Sequence, residues 1–345
     1  EIYTKKAVDL ILNHKQDKPL FLYLAHQAVH KGNGYKSLEA PDKYVDKFKS
    51  IKDLRRTFAG MISALDDSVG EVVQALNQAK ILNDTIIIFT TDNGGKSGNS
   101  NSNIKEMGSN VPLKGGKVTL WEGGIRGNGF LWSSKLTNRY ISEHLIHIQD
   151  LMPTIYKAAG GNVSHLGSID GIDHWDVLNN NKSPLRDELL HNIDDLWKVW
   201  AIRKGDYKLI NGSLSNGNLD KWFKPPGFDD RSNQTIETDS VVNKVLKQLP
   251  NYKYNSLRKV IVNCTEIKTP CNPIKAPCLF NIKLDPCEMN NLADKMPELT
   301  QQLILLIKKY NETAVPPLNV PMDKLANPAL HNYLWDIWRC DDQLC

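Results

Sequence analysis

One apolar stripe constrains this chain more than any other feature. Phe58, Met61, Ile62, Leu65, Val69, Val72, Val73 and Leu76 fall at i, +3, +4, +7, +11, +14, +15 and +18, which predicts a long amphipathic helix. Two apolar runs flank it, Leu20–Ala25 and Thr85–Thr91, and both read as strands buried on two faces. Strand, long helix, strand is the pattern of a parallel sheet covered by helices, and ligands bind such sheets beyond the carboxyl ends of the strands. Those ends carry His26 to His30 in one case and Asp92-Asn93 in the other. An opening helix is expected from Tyr3, Ala7, Leu10 and Ile11, and another over Leu145–Ala159 with Asp150 as its N-cap.

Beyond Asp170–Leu178 the pattern shortens. Glu188–Asn192, Val199–Arg203, Tyr207–Ile210 and Leu279–Ile282 read as strands, with Lys204-Gly205-Asp206 as a turn. Gly212–Tyr254 is a polar excursion of low periodicity, and Leu299, Leu303, Leu306 and Tyr310 mark a closing helix. The expected fold class is α/β: a partial, parallel-rich sheet between helices over residues 1–178, followed by a smaller C-terminal α+β region with an antiparallel sheet over 179–345.

The 345 residues carry 43 basic and 39 acidic side chains with no dense block, which argues against nucleic acid as a partner. No apolar run approaches the ~20 residues of a membrane helix, so no transmembrane segment is expected. All six cysteines lie in the last quarter, in Pro- and Asn-rich sequence that suits disulfide-stapled loops. Six cysteines allow fifteen pairings, among which the local pair Cys278–Cys287 is preferred. Seven Asn-x-Ser/Thr sequons, at Asn83, Asn162, Asn181, Asn211, Asn233, Asn263 and Asn311, add to the case for a secretory-pathway protein, lysosomal or extracellular.

Three segments carry chemistry. Asp92 and Asn93 offer a carboxylate and an amide oxygen, which suit a hard cation, although an Asn-Gly turn is the simpler reading of that dipeptide alone. Pro112-Leu113-Lys114-Gly115-Gly116-Lys117 and Trp121-Glu122-Gly123-Gly124-Ile125-Arg126-Gly127 combine glycines with cations, a composition that lets backbone and lysine approach an anion but lacks the spacing of a nucleotide P-loop. His26 and His30 become proton donors only if the fold sets them beside that loop. Lys96–Asn110 is long enough for a lid or an irregular rim.

Together these segments resemble the type I sulfatase family, and within it the arylsulfatase B-like branch. Carrying the resemblance are Pro19–Ala25 with His30, Thr91-Asp92-Asn93-Gly94-Gly95, Pro112–Lys117, Leu120–Gly124, Leu145–Ile148, Leu189–Asp194, and Asp285-Pro286 with Asn291-Leu292. It implies an alkaline-phosphatase-like α/β core and a hydrolase acting on a sulfated glycan or an aryl sulfate. Asp92 and Asn93 match the family's ligands to one Ca²⁺, Lys117 its sulfate-holding lysine, and His30 the histidine near the leaving oxygen. The family's nucleophile is a formylglycine made in a Cys-x-Pro-Ser-Arg motif, and Cys271-Asn272-Pro273-Ile274-Lys275 is only a decoy for it. The nucleophile and the remaining calcium ligands are therefore expected upstream of Glu1, with the chain N-terminally truncated and inactive alone. Lys31–Tyr35 departs from the family pattern, so sugar specificity does not carry over. The rival expectations are a non-catalytic glycan-binding relative and, less favoured, a phosphatase or phosphodiesterase of the same superfamily.

Overall fold

The computed structural model describes residues 1–32, 36–98, 106–136, 139–180, 182–224, 240–249, 262–264, 266–317 and 322–338. It divides into two units, Glu1–Ile307 and Lys308–Cys345. In chain order the helices are α1 (Ile2–Leu12), α2 (Asp42–Val45), α3 (Asp53–Gln78), α4 (Glu122–Ile125), α5 (Leu151–Ala158), α6 (Trp175–Asn180), α7 (Val241–Leu246) and α8 (Pro297–Asn311). The strands are β1 (Ile86–Thr90), β2 (Gly129–Ser133), β3 (Glu188–Asp194), β4 (Val199–Lys204), β5 (Tyr207–Asn211) and β6 (Cys278–Asn281).

The predicted stripe forms α3 and organises the first core. Val73, Ala75 and Leu76 bury against Ile11 of α1, Leu82 and Val245 of α7, with Ile87 of β1 and Trp132 of β2 packed alongside. Ile62 alone of the stripe is exposed. In α1 the helix is where the sequence puts it, but Thr4, Ala7 and Ile11 are its buried side chains while Tyr3 and Leu10 face solvent. The Thr4 and Ser68 hydroxyls explain the rotation, since their 2.7 Å hydrogen bond pins that face of α1 to α3.

Two sheet expectations need correction. Leu20–Ala25 forms no strand, because no neighbouring strand supplies a ladder among the described residues. Leu22 reaches the first core, whereas Phe21 and Tyr23 are exposed. In place of a parallel pairing, β1 runs antiparallel to β2, with Phe89 opposite Phe130 and their rings stacked at 5.4 Å. The second sheet follows the sequence closely: β3-β4-β5-β6, antiparallel throughout. Its β4–β5 hairpin turns on Gly205-Asp206, where Gly205 adopts φ +56°. Ala201, Ile210, Cys278 and Phe280 form the second core, capped by Trp121, whose ring meets Phe280 edge-on at 5.7 Å.

The disulfides are Cys264–Cys287 and Cys271–Cys278, with Cα separations of 5.5 and 5.9 Å, so the preferred Cys278–Cys287 pair is overturned. No strand returns from β6 to bring those two residues together; Asp285 instead caps a turn by accepting from the Met289 and Asn290 amides. Cys340 and Cys345 lie outside the described residues, as do parts of the Lys96–Asn110 and Gly212–Tyr254 segments. The latter contains a helix the sequence did not announce, α7, which places Val245 in the first core. Asp150 stands at the N-cap position of α5 as expected, but its side chain makes no capping bond there; it accepts instead from the amide of His147, which caps the preceding turn Ile148–Asp150.

Candidate active site

The chain leaves β1 through Thr91, whose Oγ1 donates to the Asn93 carbonyl at 2.8 Å and tightens the turn. Asp92 is exposed and Asn93 half-buried. Asn93 Nδ2 donates to the Gly94 carbonyl at 2.9 Å, leaving the amide oxygen as its ligand-donating end. The donor chemistry at these two positions fits a hard cation but makes up only part of a calcium shell, which needs six to eight oxygens. Among the described residues, no group of three or more His, Cys, Asp or Glu side chains is placed to hold a metal.

Glycine packing ties this turn to the cationic loop. The Gly94 amide donates to the Gly124 carbonyl at 2.9 Å, and a Cβ at Gly94 would fall onto the Gly123 carbonyl oxygen. Asn110 clamps Gly95 from both sides, accepting from its amide and donating to its carbonyl, each at 2.8 Å. The Lys117 amide donates to the same Gly95 carbonyl at 3.1 Å. Asp92, Asn93 and the half-buried Lys117 therefore hang from one backbone scaffold. His30 is exposed with Nδ1 2.9 Å from the Lys31 carbonyl oxygen, and no hydrogen bond among the described residues joins it to the scaffold. Burial pushes His26 below the usual histidine range, with the N-terminal amine adding to the effect.

Behind the loop lies a charge cluster that no sequence motif announces. Lys208 of β5 is fully buried and bonds Glu122 Oε1 at 3.0 Å and Glu288 Oε1 at 2.8 Å. Glu288 Oε2 in turn accepts from the Glu122 amide at 2.7 Å. Burial alone would lower Lys208, but the two carboxylates outweigh it and raise it. Burial likewise works against the charged form of Glu122, which Lys208 nevertheless holds below its usual value, while burial carries Glu288 up to about 7. Beside this cluster the Lys114 amine sits 3.6 Å from the Trp121 ring centroid and 4.8 Å from that of Trp222. Desolvation there lowers Lys114. The available signal in the sequence was a lone lysine in the apolar run Tyr207–Ile210.

A second buried cluster anchors the start of α5. Asp150 accepts from the His147 and Ile172 amides and from Arg186 Nε, each at 2.8 Å, and from Arg186 Nη2. Its Oδ2 lies 3.3 Å from His174 Nε2. Burial opposes ionisation, but His174, Arg186 and the amides together hold Asp150 well below the carboxylate range. His191 of β3 has an enclosed Nε2, and burial, reinforced by Lys208, pushes its pKa down to about 3.

Comparison with known proteins bears on the family and the fold. A family model described as Sulfatase matches residues 1–161. Mouse arylsulfatase J is 31% identical across 98% of this chain and 53% of its own length. Pig N-acetylgalactosamine-6-sulfatase is 31% identical across 96% of the chain and 56% of its own length. The chain thus spans about half the length of these relatives. Among solved structures, Ps i-CgsB superposes with a TM-score of 0.61 at 24% identity, covering 90% of this chain and 54% of that one. A Bacteroides thetaiotaomicron sulfatase superposes at 0.58 with 21% identity, covering 90% of this chain and 53% of that one.

Proposed function

Because this chain belongs to the sulfatase family, we propose that the protein hydrolyses sulfate esters, on a sulfated glycan or an aryl sulfate. The observation that carries the reading is the Gly95 joint, which hangs the lysine for an anion and two oxygen donors for a cation from one backbone. Lys117 would hold the sulfuryl group and neutralise charge on its oxygens, and a protonated His30 would give its proton to the departing oxygen. Asp92 and Asn93 would hold calcium, which when bound supplies further neutralisation of the sulfuryl oxygens. Residues 1–178 form the catalytic part in this reading and 179–345 a C-terminal subdomain.

Supporting a glycan substrate is the name of one relative, N-acetylgalactosamine-6-sulfatase, and the complex of Ps i-CgsB with k-i-k-neocarrahexaose. The finer likeness to arylsulfatase B rests on the quoted motifs alone. Two disulfides and the sequons support a secretory-pathway location, lysosomal or extracellular. Among the described residues no helix is long and apolar enough to cross a membrane.

No Cys-x-Pro-Ser-Arg occurs in the 345 residues, so the formylglycine nucleophile is assigned upstream and these residues alone are expected to turn over nothing. That same observation favours the second reading, a glycan-binding relative without catalysis. The test is to read the coding sequence upstream of Glu1 and express the chain with it. Aryl sulfate turnover that falls about 10²–10³-fold in Lys117→Met is the expected result. Glycan binding with no turnover supports the second reading, and hydrolysis of aryl phosphate with refusal of aryl sulfate overturns both.

A further inference from the structure

Lys208 stands on β5, in the antiparallel sheet of the smaller α+β region, yet its amine is committed to the candidate site's scaffold. Glu122 is gripped twice, at its carboxylate by Lys208 and at its amide by Glu288, which Lys208 also holds. Glu122 opens α4, and the next two residues are the ones on which the scaffold rests. The Gly123 amide donates to the Lys114 carbonyl at 2.7 Å, and the Gly124 carbonyl accepts from Gly94 at 2.9 Å. Cβ atoms at Gly123 and Gly124 would strike the Lys114 and Thr119 carbonyl oxygens, so neither backbone has room to drift independently. The run from Lys208 to Lys117 therefore passes through Glu122, Gly124, Gly94 and Gly95, with a hydrogen bond at each crossing between segments.

We propose that Lys208 is a positioning residue for the anion site: through Glu122 it fixes the glycine scaffold that carries Lys117 and Asp92-Asn93. A lysine held by two carboxylates in a fully buried cluster has one available geometry, unlike a solvated surface pair, so it transmits position and not merely charge. An offset of about 1 Å at a reacting group costs about a hundredfold in rate, which is why a tether outside the cleft matters to it. The role at Lys117 rests on the sulfatase reading; the tether itself does not.

The experiment compares the wild-type 345-residue chain with Lys208→Met, Glu288→Gln and Leu209→Ala. Leu209 is the fully buried neighbour of Lys208 on β5 and serves as a control for general weakening of the sheet. Two quantities are read: hydrogen exchange at the Gly94, Lys117 and Gly123 amides, and the shift of the Lys117 amine resonance on titration with inorganic sulfate. Expected in Lys208→Met are at least tenfold faster exchange at the three amides and at least tenfold weaker sulfate binding. Leu209→Ala should leave both within twofold of wild type at equal loss of melting temperature. Glu288→Gln, which preserves shape and an acceptor, should fall between them, and it decides the matter if Lys208→Met does not fold. Exchange in Lys208→Met and Glu288→Gln within twofold of Leu209→Ala overturns the tether. A wild-type chain that does not answer sulfate counts against the sulfatase reading and leaves the exchange comparison to judge the tether.

Discussion

His191 makes stability depend on pH in a direction and amount that can be worked out. It is the bulged residue of β3, between Leu190 paired with Ile202 and Asn192 paired with Ala201. Burial, then the charges of Lys208 and Arg203, disfavour its imidazolium, while Glu122 opposes them only in part, leaving the folded pKa at about 3. The unfolded chain takes up the proton near 6.5, the ordinary value for histidine. Between those two values the unfolded state binds more protons, so the contribution is fully present above pH 6.5 and is lost as pH falls toward 3. At pH 5 the linkage amounts to about 2 kcal/mol, trimmed to about 1–2 by the solvent contact His191 retains. Glu288 works in the opposite sense: its folded pKa of about 7 favours the protonated acid, a contribution present below pH 4.5 and lost as pH rises through 7. That contribution is common to wild type and variant and cancels in their difference. Urea unfolding of wild type and His191→Leu at pH 7.5 and pH 5 isolates the histidine. The variant should lose about 1–2 kcal/mol less than wild type on acidification. Equal losses, within about 0.3 kcal/mol, would refute the buried neutral imidazole.

Asp150→Ala should cost more than about 3 kcal/mol, because it strands the Arg186 guanidinium and two backbone amides in the interior. With whole domains stable by about 5–15 kcal/mol, equilibrium unfolding will register that at once, and a loss under 1 kcal/mol would contradict the cluster's geometry. Gly94→Ala should lower stability by about 1–3 kcal/mol through overlap with the Gly123 carbonyl, and should weaken sulfate binding at Lys117 in the same variant. A shift in melting temperature indistinguishable from zero would sink that claim.

What the sequence made legible was what local periodicity encodes. Helix α3 and strands β3, β4, β5 and β6 fall where their patterns put them, because a 3.6 or 2.0 repeat depends on a residue's own neighbours. Strand partnership is not local, and so the pairing of β1 with β2 and the unpaired state of Leu20–Ala25 escaped. Disulfide pairing escaped for the same reason: Cys264–Cys287 depends on where the turn after β6 points. At the candidate site, the residue types around Asp92 and Lys117 were readable as chemistry. Their joint through Gly95 and Asn110 was not, since backbone carbonyls leave no mark in a sequence. Lys208 was hidden because β5 is otherwise an ordinary strand, and the carboxylates it needs lie 86 and 80 residues away along the chain.

The loop holding Lys114 and Lys117 contains its own chemical reference. Lys114 is 3% exposed and enclosed by Trp121 and Trp222, so an amine-reactive reagent reaches it only when the loop opens. Lys117, three positions on, retains solvent contact and reacts in the closed loop. Brief acylation followed by peptide mapping therefore yields a ratio of the two labels within one peptide. Occupancy of the anion site lowers the Lys117 label, loosening of the scaffold raises that of Lys114, and the two events are told apart without any substrate being turned over.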